Sequence, residues 1–74
     1  MKELLEILNE IKPGVDFENE KHLIEDGILA SFDIVSLVAA LNDEFDIEIS
    51  ITDIVPENFE SVDAMMNLIK RLED

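Results

Sequence analysis

Apolar residues recur at i, i+3, i+4 and i+7 in three separate stretches, and that period commits most of the chain to amphipathic helices. The first stretch places Leu4, Leu5, Leu8 and Ile11 on one side, with Ile7 beside them and Lys2, Glu3, Glu6 and Glu10 on the other. Pro13-Gly14 ends it, because proline cannot continue a helix. The strongest stripe is Ile34, Val35, Leu37, Val38, Leu41 and Phe45, with Asp33, Ser36, Asn42, Asp43 and Glu44 mostly outside it. Ser31 precedes this stripe as an N-cap, so a second helix is expected from 31 or 32 to about 44. A last stripe, Val62, Met65, Met66, Ile69 and Leu72, follows a second capping serine, Ser61. Lys70 and Arg71 lie near its C-terminus, where cations suit the helix dipole.

The segments between the stripes are less regular. Residues 13–30 show no clean period, yet Phe17, Leu23, Ile24, Ile28 and Leu29 are spread through them. A connection this long in so small a chain is often functional, and its apolar residues imply that it crosses the bundle and adds to the core. Asp26-Gly27 marks a turn, and a short helical turn is expected near Glu20–Ile24. Phe45-Asp46-Ile47-Glu48-Ile49 alternates like a strand but has no partner strand, so it reads as an extended linker that tucks Ile47 and Ile49 inward. Thr52 is placed to cap a very short third helix through about Val55, limited by Pro56. Asn58 reads as a turn residue able to take positive φ. The expected fold is all-α: a four-helix bundle with three main helices, one short third helix and a long first loop. It is expected to form one domain over residues 1–74, around a single aliphatic core.

Composition narrows the function. A chain of 74 residues buries only about 60% of its unfolded surface, which is expected to leave no room for a substrate cleft beside the core. No convergent set of acid, base and nucleophile is readable, so an enzyme is not expected. Nineteen acidic residues stand against five basic ones, for a net charge of −14. That field repels nucleic acid and anionic lipid and attracts basic protein surfaces. The absence of cysteine removes disulfides, thiolate metal sites and a cysteine nucleophile. No apolar run approaches the roughly 18 residues of a membrane span, and Met1-Lys2-Glu3-Leu4-Leu5 has no signal-peptide pattern, so a cytoplasmic location is expected. His22, the one histidine, has no evident ligand set around it and reads as a surface residue. Met65 and Met66 read as core filling. Asp43-Glu44-Asp46-Glu48 lacks the twelve-residue loop and central glycine of an EF-hand.

The segment Leu29-Ala30-Ser31-Phe32-Asp33-Ile34-Val35-Ser36-Leu37-Val38 resembles the attachment motif of acyl and peptidyl carrier proteins, in which an Asp-Ser-Leu-like triplet opens the second helix. The similarity continues upstream through Ile24-Glu25-Asp26-Gly27-Ile28-Leu29 and downstream through Leu41–Ile49, Asp53-Ile54 and Ser61-Val62. The resemblance implies an acyl-carrier-like bundle whose Ser31 bears a 4'-phosphopantetheine arm, installed from coenzyme A by a Mg²⁺-dependent phosphopantetheinyl transferase. The arm's thiol would hold an acyl or aminoacyl group as a thioester. Further implied partners are an acyl- or aminoacyl-activating ligase and downstream transferases or synthases with basic surfaces; the carrier is expected to be a monomer. Asp33, Asp43 and Glu44 are the implied docking acids. Of Ile34 and Val35, one should pack inward and the other form an apolar contact beside the serine. Fatty-acid or polyketide synthesis, peptidyl transfer and D-alanyl transfer all remain open as pathways. The chain departs from the family at Ala30, where an aspartate is usual, and at Ser36 and Asn42, which are often acidic in fatty-acid carriers. Ala30 also keeps a second reading open, an unmodified interaction module of the same fold.

Overall fold

The computed structural model describes residues 2–73. Their elements are α1 (Lys2–Ile11), α2 (Ser31–Phe45), a 3-10 turn (Ile51–Asp53), α3 (Pro56–Phe59) and α4 (Val62–Glu73). No strand occurs among the described residues, and none of their helices is long and apolar enough to cross a membrane.

The three stripes form the helices they imply and face one another. Leu4 and Leu8 of α1, Leu37 and Leu41 of α2, and Val62, Met65, Leu68 and Ile69 of α4 are all buried. Helix α1 packs against α2, α3 against α4, and α4 also reaches α1. Each fully buried leucine or isoleucine contributes about 1.5–3 kcal/mol relative to an exposed one. The long first loop adds Phe17, Leu23 and Leu29 to this core, the segment after α2 adds Ile49, and α3 adds Phe59. The radius of gyration is 11.0 Å, close to the value of about 11 Å for a compact chain of this length.

Helix α2 ends at Asp46, which takes the left-handed conformation (φ 52°) and donates its N–H to the Asn42 carbonyl. Asn42 holds the following segment too, because its Oδ1 accepts the Ile49 N–H at 2.9 Å. This is the extended linker expected after the helix, with Ile49 buried and Ile47 half-buried. Pro13-Gly14 and Asp26-Gly27 turn the chain as expected, each glycine at positive φ. Ser61 caps α4, its Oγ accepting the Ala64 N–H at 3.1 Å.

Three local expectations are corrected, and a fourth is shifted by two residues. The N-cap of α2 is Ala30, extended at φ −86° and ψ 171°, and Ser31 is the first helical residue. The short third helix follows Pro56 instead of preceding it. Proline suits the first helical position because its missing N–H would be unpaired there anyway, and it forces Val55 before it into an extended conformation (φ −125°, ψ 150°). Thr52 therefore sits inside a 3-10 turn. Asn58 has no positive φ; it lies in α3, where its Nδ2 donates to the Asp53 carbonyl at 2.8 Å and its Oδ1 accepts from Arg71. The helical turn expected near Glu20–Ile24 forms two residues later, at His22–Asp26, where the Asp26 N–H donates to the His22 carbonyl at 2.8 Å. The Leu23, Ile24 and Glu25 N–H groups that a helix would use all bond to Glu60.

Candidate functional site

The N-terminal turn of α2 brings most of the residues singled out in the sequence to one end of the bundle. Ser31 is exposed at the first helical position. Because Ala30 occupies the cap, the serine hydroxyl is not used for capping, and it has no hydrogen-bond partner among the described residues. Ile34 is the first residue of the helix whose N–H reaches a carbonyl one turn back, that of Ala30 at 3.0 Å. The N–H groups of Ser31, Phe32 and Asp33 are thus left without an intrahelical acceptor, at the positive end of the helix dipole.

Asp33 completes the turn from the other direction. Its carboxylate accepts the Ala30 N–H at 3.0 Å and pairs with Lys12 Nζ at 3.3 Å, tying the end of α1 to the start of α2. The Ala30 N–H bond lowers the Asp33 pKa most; partial burial opposes it, and Lys12 adds to the lowering through a hydrogen bond and its charge. The side chain is only 14% exposed. Of the expected docking acids, Asp33 is therefore engaged within the chain.

Beside Ser31 opens a cleft of about 290 Å³. Three segments line it: Ile24 of the first loop, Ser31, Ile34 and Val35 of α2, and Ile54, Val55, Pro56 and Phe59 around α3. Ser31 is the only lining residue with a polar side chain. The cleft overturns the expectation that so short a chain has no room for one. It is not hollowed from the core; it lies where the loop and α3 meet the end of α2. Its size is at the lower edge of the roughly 300–1,000 Å³ of small-molecule sites.

The ambiguity between Ile34 and Val35 resolves by exposure. Ile34 packs against the core, whereas Val35 is 69% exposed. Phe32, to which the sequence reading gave no role of its own, is 80% exposed beside the serine, and Ile51 is 86% exposed. Helical spacing sets Phe32, Val35, Ala39 and Asp43 in one row on the open face of α2, all exposed, with Glu44 next to its end. At 1.5 Å rise per residue, Asp43 lies about 18 Å along the axis from Ser31. His22 is exposed and 3.9 Å from Glu25, as a surface residue. Met65 is fully buried and Met66 partly, as core.

No family model and no solved structure matches the chain. Over 53 residues it is 45% identical to a curated acyl carrier protein of Buchnera aphidicola subsp. Baizongia pistaciae (strain Bp). The aligned residues are 72% of this chain and 65% of that protein, so the chain spans just under two thirds of its relative's length. This similarity supports assignment of the chain to the acyl carrier protein family, and the all-helical fold agrees with it.

Proposed function

We propose that the chain is a phosphopantetheine-dependent carrier, not an enzyme, and that Ser31 is the attachment point of its arm. The observation that carries this reading is the state of Ser31: an exposed hydroxyl, without a hydrogen-bond partner among the described residues, at the head of a helix and the lip of an apolar cleft. In the transfer from coenzyme A, the serine oxygen forms a phosphodiester to the phosphopantetheine phosphorus. The pyrophosphate bond of coenzyme A breaks, its nucleotide leaves, and the serine proton is lost to the transferase or to water. The residues present suit that phosphate, since the unpaired N–H groups and dipole of the first turn favour an anion at this place. The bound arm supplies a terminal thiol for a thioester, and an acyl or aminoacyl group held there reaches each partner at high effective concentration. The adjoining cleft offers an apolar group on the arm a place out of water. Partners with basic surfaces would dock on the open face of α2, with Val35 and Phe32 beside the serine and Asp43 and Glu44 at the far end. Ile34 backs this face from the core, and Asp33 takes part only through the bonds it makes at the helix start.

Incubation of the apo-protein with coenzyme A, Mg²⁺ and a broad-specificity phosphopantetheinyl transferase tests the reading by intact mass. The expected result is a gain of one phosphopantetheine that Ser31→Ala abolishes. No gain, under conditions that modify a control carrier, would favour the unmodified interaction module. Asp43→Lys with Glu44→Lys should slow the modification at low salt and lose that effect at high salt, since exposed charges act over about 8–10 Å at physiological ionic strength.

A further inference from the structure

Glu60 follows Phe59, one lining residue of the cleft, and it is bonded to the loop that carries another, Ile24. Its Oε1 accepts the N–H of Ile24 at 2.8 Å and that of Glu25 at 3.2 Å, while its own carbonyl accepts the N–H of Leu23 at 3.0 Å. Three consecutive amides of the first loop thus end on one residue of the α3–α4 junction, 35 to 37 positions away along the chain. Leu23, in the middle of this contact, is fully buried, whereas Ile24 turns its side chain to the cleft. The loop around them has no helix or strand to hold its path. A carboxylate oxygen shared by two N–H groups is a stronger acceptor than a neutral one, and an amide left without it in a part-buried place is costly.

We propose that Glu60 is a positioning residue that fixes the Ile24 wall of the cleft against Phe59, and so governs how long an apolar group beside Ser31 stays out of water. The second half rests on the carrier reading above; the first does not. With the loop held, the cleft keeps its shape between Ile24 and the α3 wall. With it released, Ile24 swings free, the cleft loses one side, and a group lodged there is exposed to attack from solvent.

Two measurements separate the halves. In the apo-protein, Glu60→Ala should speed hydrogen exchange at the Ile24 and Glu25 amides by about tenfold or more. Glu60→Gln, which keeps an Oε1 acceptor, should leave both near the original rate. In the arm-bearing protein, hydroxylamine cleavage is then compared for an octanoyl and an acetyl thioester. Glu60→Ala should raise the octanoyl rate several-fold and leave the acetyl rate unchanged, with Glu60→Gln again close to the original. Ile69→Val, a core change at a residue that does not line the cleft, controls for lost stability and should alter neither rate. The proposal falls if Glu60→Ala leaves exchange at both amides unchanged, if Glu60→Gln behaves like the alanine variant, or if Ile69→Val exposes the octanoyl group equally. Failure of Ser31 to accept the arm at all would count against the carrier reading instead, and amide exchange alone would then decide the role of Glu60.

Discussion

Replacing Ala30 with serine will stabilise the protein. Ala30 is the N-cap of α2, with extended backbone angles and no side chain able to accept a hydrogen bond. Asp33, three residues on, already satisfies the Ala30 N–H at 3.0 Å. Half of a reciprocal capping arrangement is therefore built, and what is lacking is an oxygen on residue 30 to accept the N–H of Phe32 or Asp33. A serine there supplies it. Exchanges between alanine and a good cap are worth about 0.5–2 kcal/mol, typically about 1. For a chain of 60–100 residues, about 1 kcal/mol moves the thermal midpoint by roughly 4–8 °C. Scanning calorimetry or circular dichroism will show it, with urea unfolding as the second measure and Ala30→Val, a poor cap, as the control. An unchanged or lowered midpoint for Ala30→Ser would refute the capping account. The same variant separates two roles of an aspartate at this position. Ala30→Ser and Ala30→Asp both cap, but only the second adds a carboxylate. A faster phosphopantetheinyl transfer to Ala30→Asp alone would assign the gain to charge, and an equal gain in both would assign it to the helix start.

Three further outcomes follow from the packing and the backbone. Leu41→Ala removes a fully buried side chain from the face α2 turns to the core and should cost about 2–5 kcal/mol in urea unfolding. Asp46 holds φ 52°, so Asp46→Gly should be more stable than Asp46→Ala by about 1 kcal/mol, both variants having lost the same charge. Asp33 has a lowered pKa in the folded chain, so the folded state binds fewer protons there than the unfolded one. Its contribution is fully present above the unfolded value of about 3.9 and is lost as pH falls through the lower folded value. Asp33→Asn should therefore be less stable than the original near neutral pH, and the gap should close below about pH 4. A gap that persisted at lower pH would deny the lowered pKa.

Helices α1, α2 and α4 were legible because their signals are local: an apolar period of 3.6, a proline-glycine stop, a serine cap at Ser61. The errors arose where a local signal had two meanings or where the partner was distant. Pro56 reads equally as the end of one helix and the first residue of another, and the second reading won. The stripe of α4 was read without Leu68, which lies between Met65 and Ile69 and is as buried as they are. The turns of the first loop and its share of the core were readable, but its anchoring was not, because its amides are claimed by Glu60 across more than thirty residues. The cleft was missed for the same reason: its lining comes from three segments that no spacing links. Ser31 was singled out as the proposed attachment point through a family resemblance, and its residue type alone pointed to a cap. Phe32 could have been noticed, since it precedes the core stripe of α2 and lies off its apolar face.

The one-residue shift that makes Ala30 the cap bears on what Ser31 can do. A cap serine gives its oxygen to a backbone N–H, and modifying that oxygen would cost the helix its cap. At the first helical position the oxygen has no such duty, so a phosphodiester can form on it without loosening α2. The capping work then falls to residue 30, where alanine leaves it undone, and to Asp33, which does it through the Ala30 N–H. A carboxylate that closes the helix start and pairs with Lys12 is not free to greet a basic partner: a lysine or arginine arriving there would have to displace Lys12. Lys12 is well exposed although Asp33 is not, so displacement is feasible, but it gains little because one cation replaces another. Under the docking proposed above, the charge open to a basic partner would therefore lie at the other end of the exposed row, on Asp43 and Glu44. The end near Ser31 would offer it mainly the exposed Phe32 and Val35.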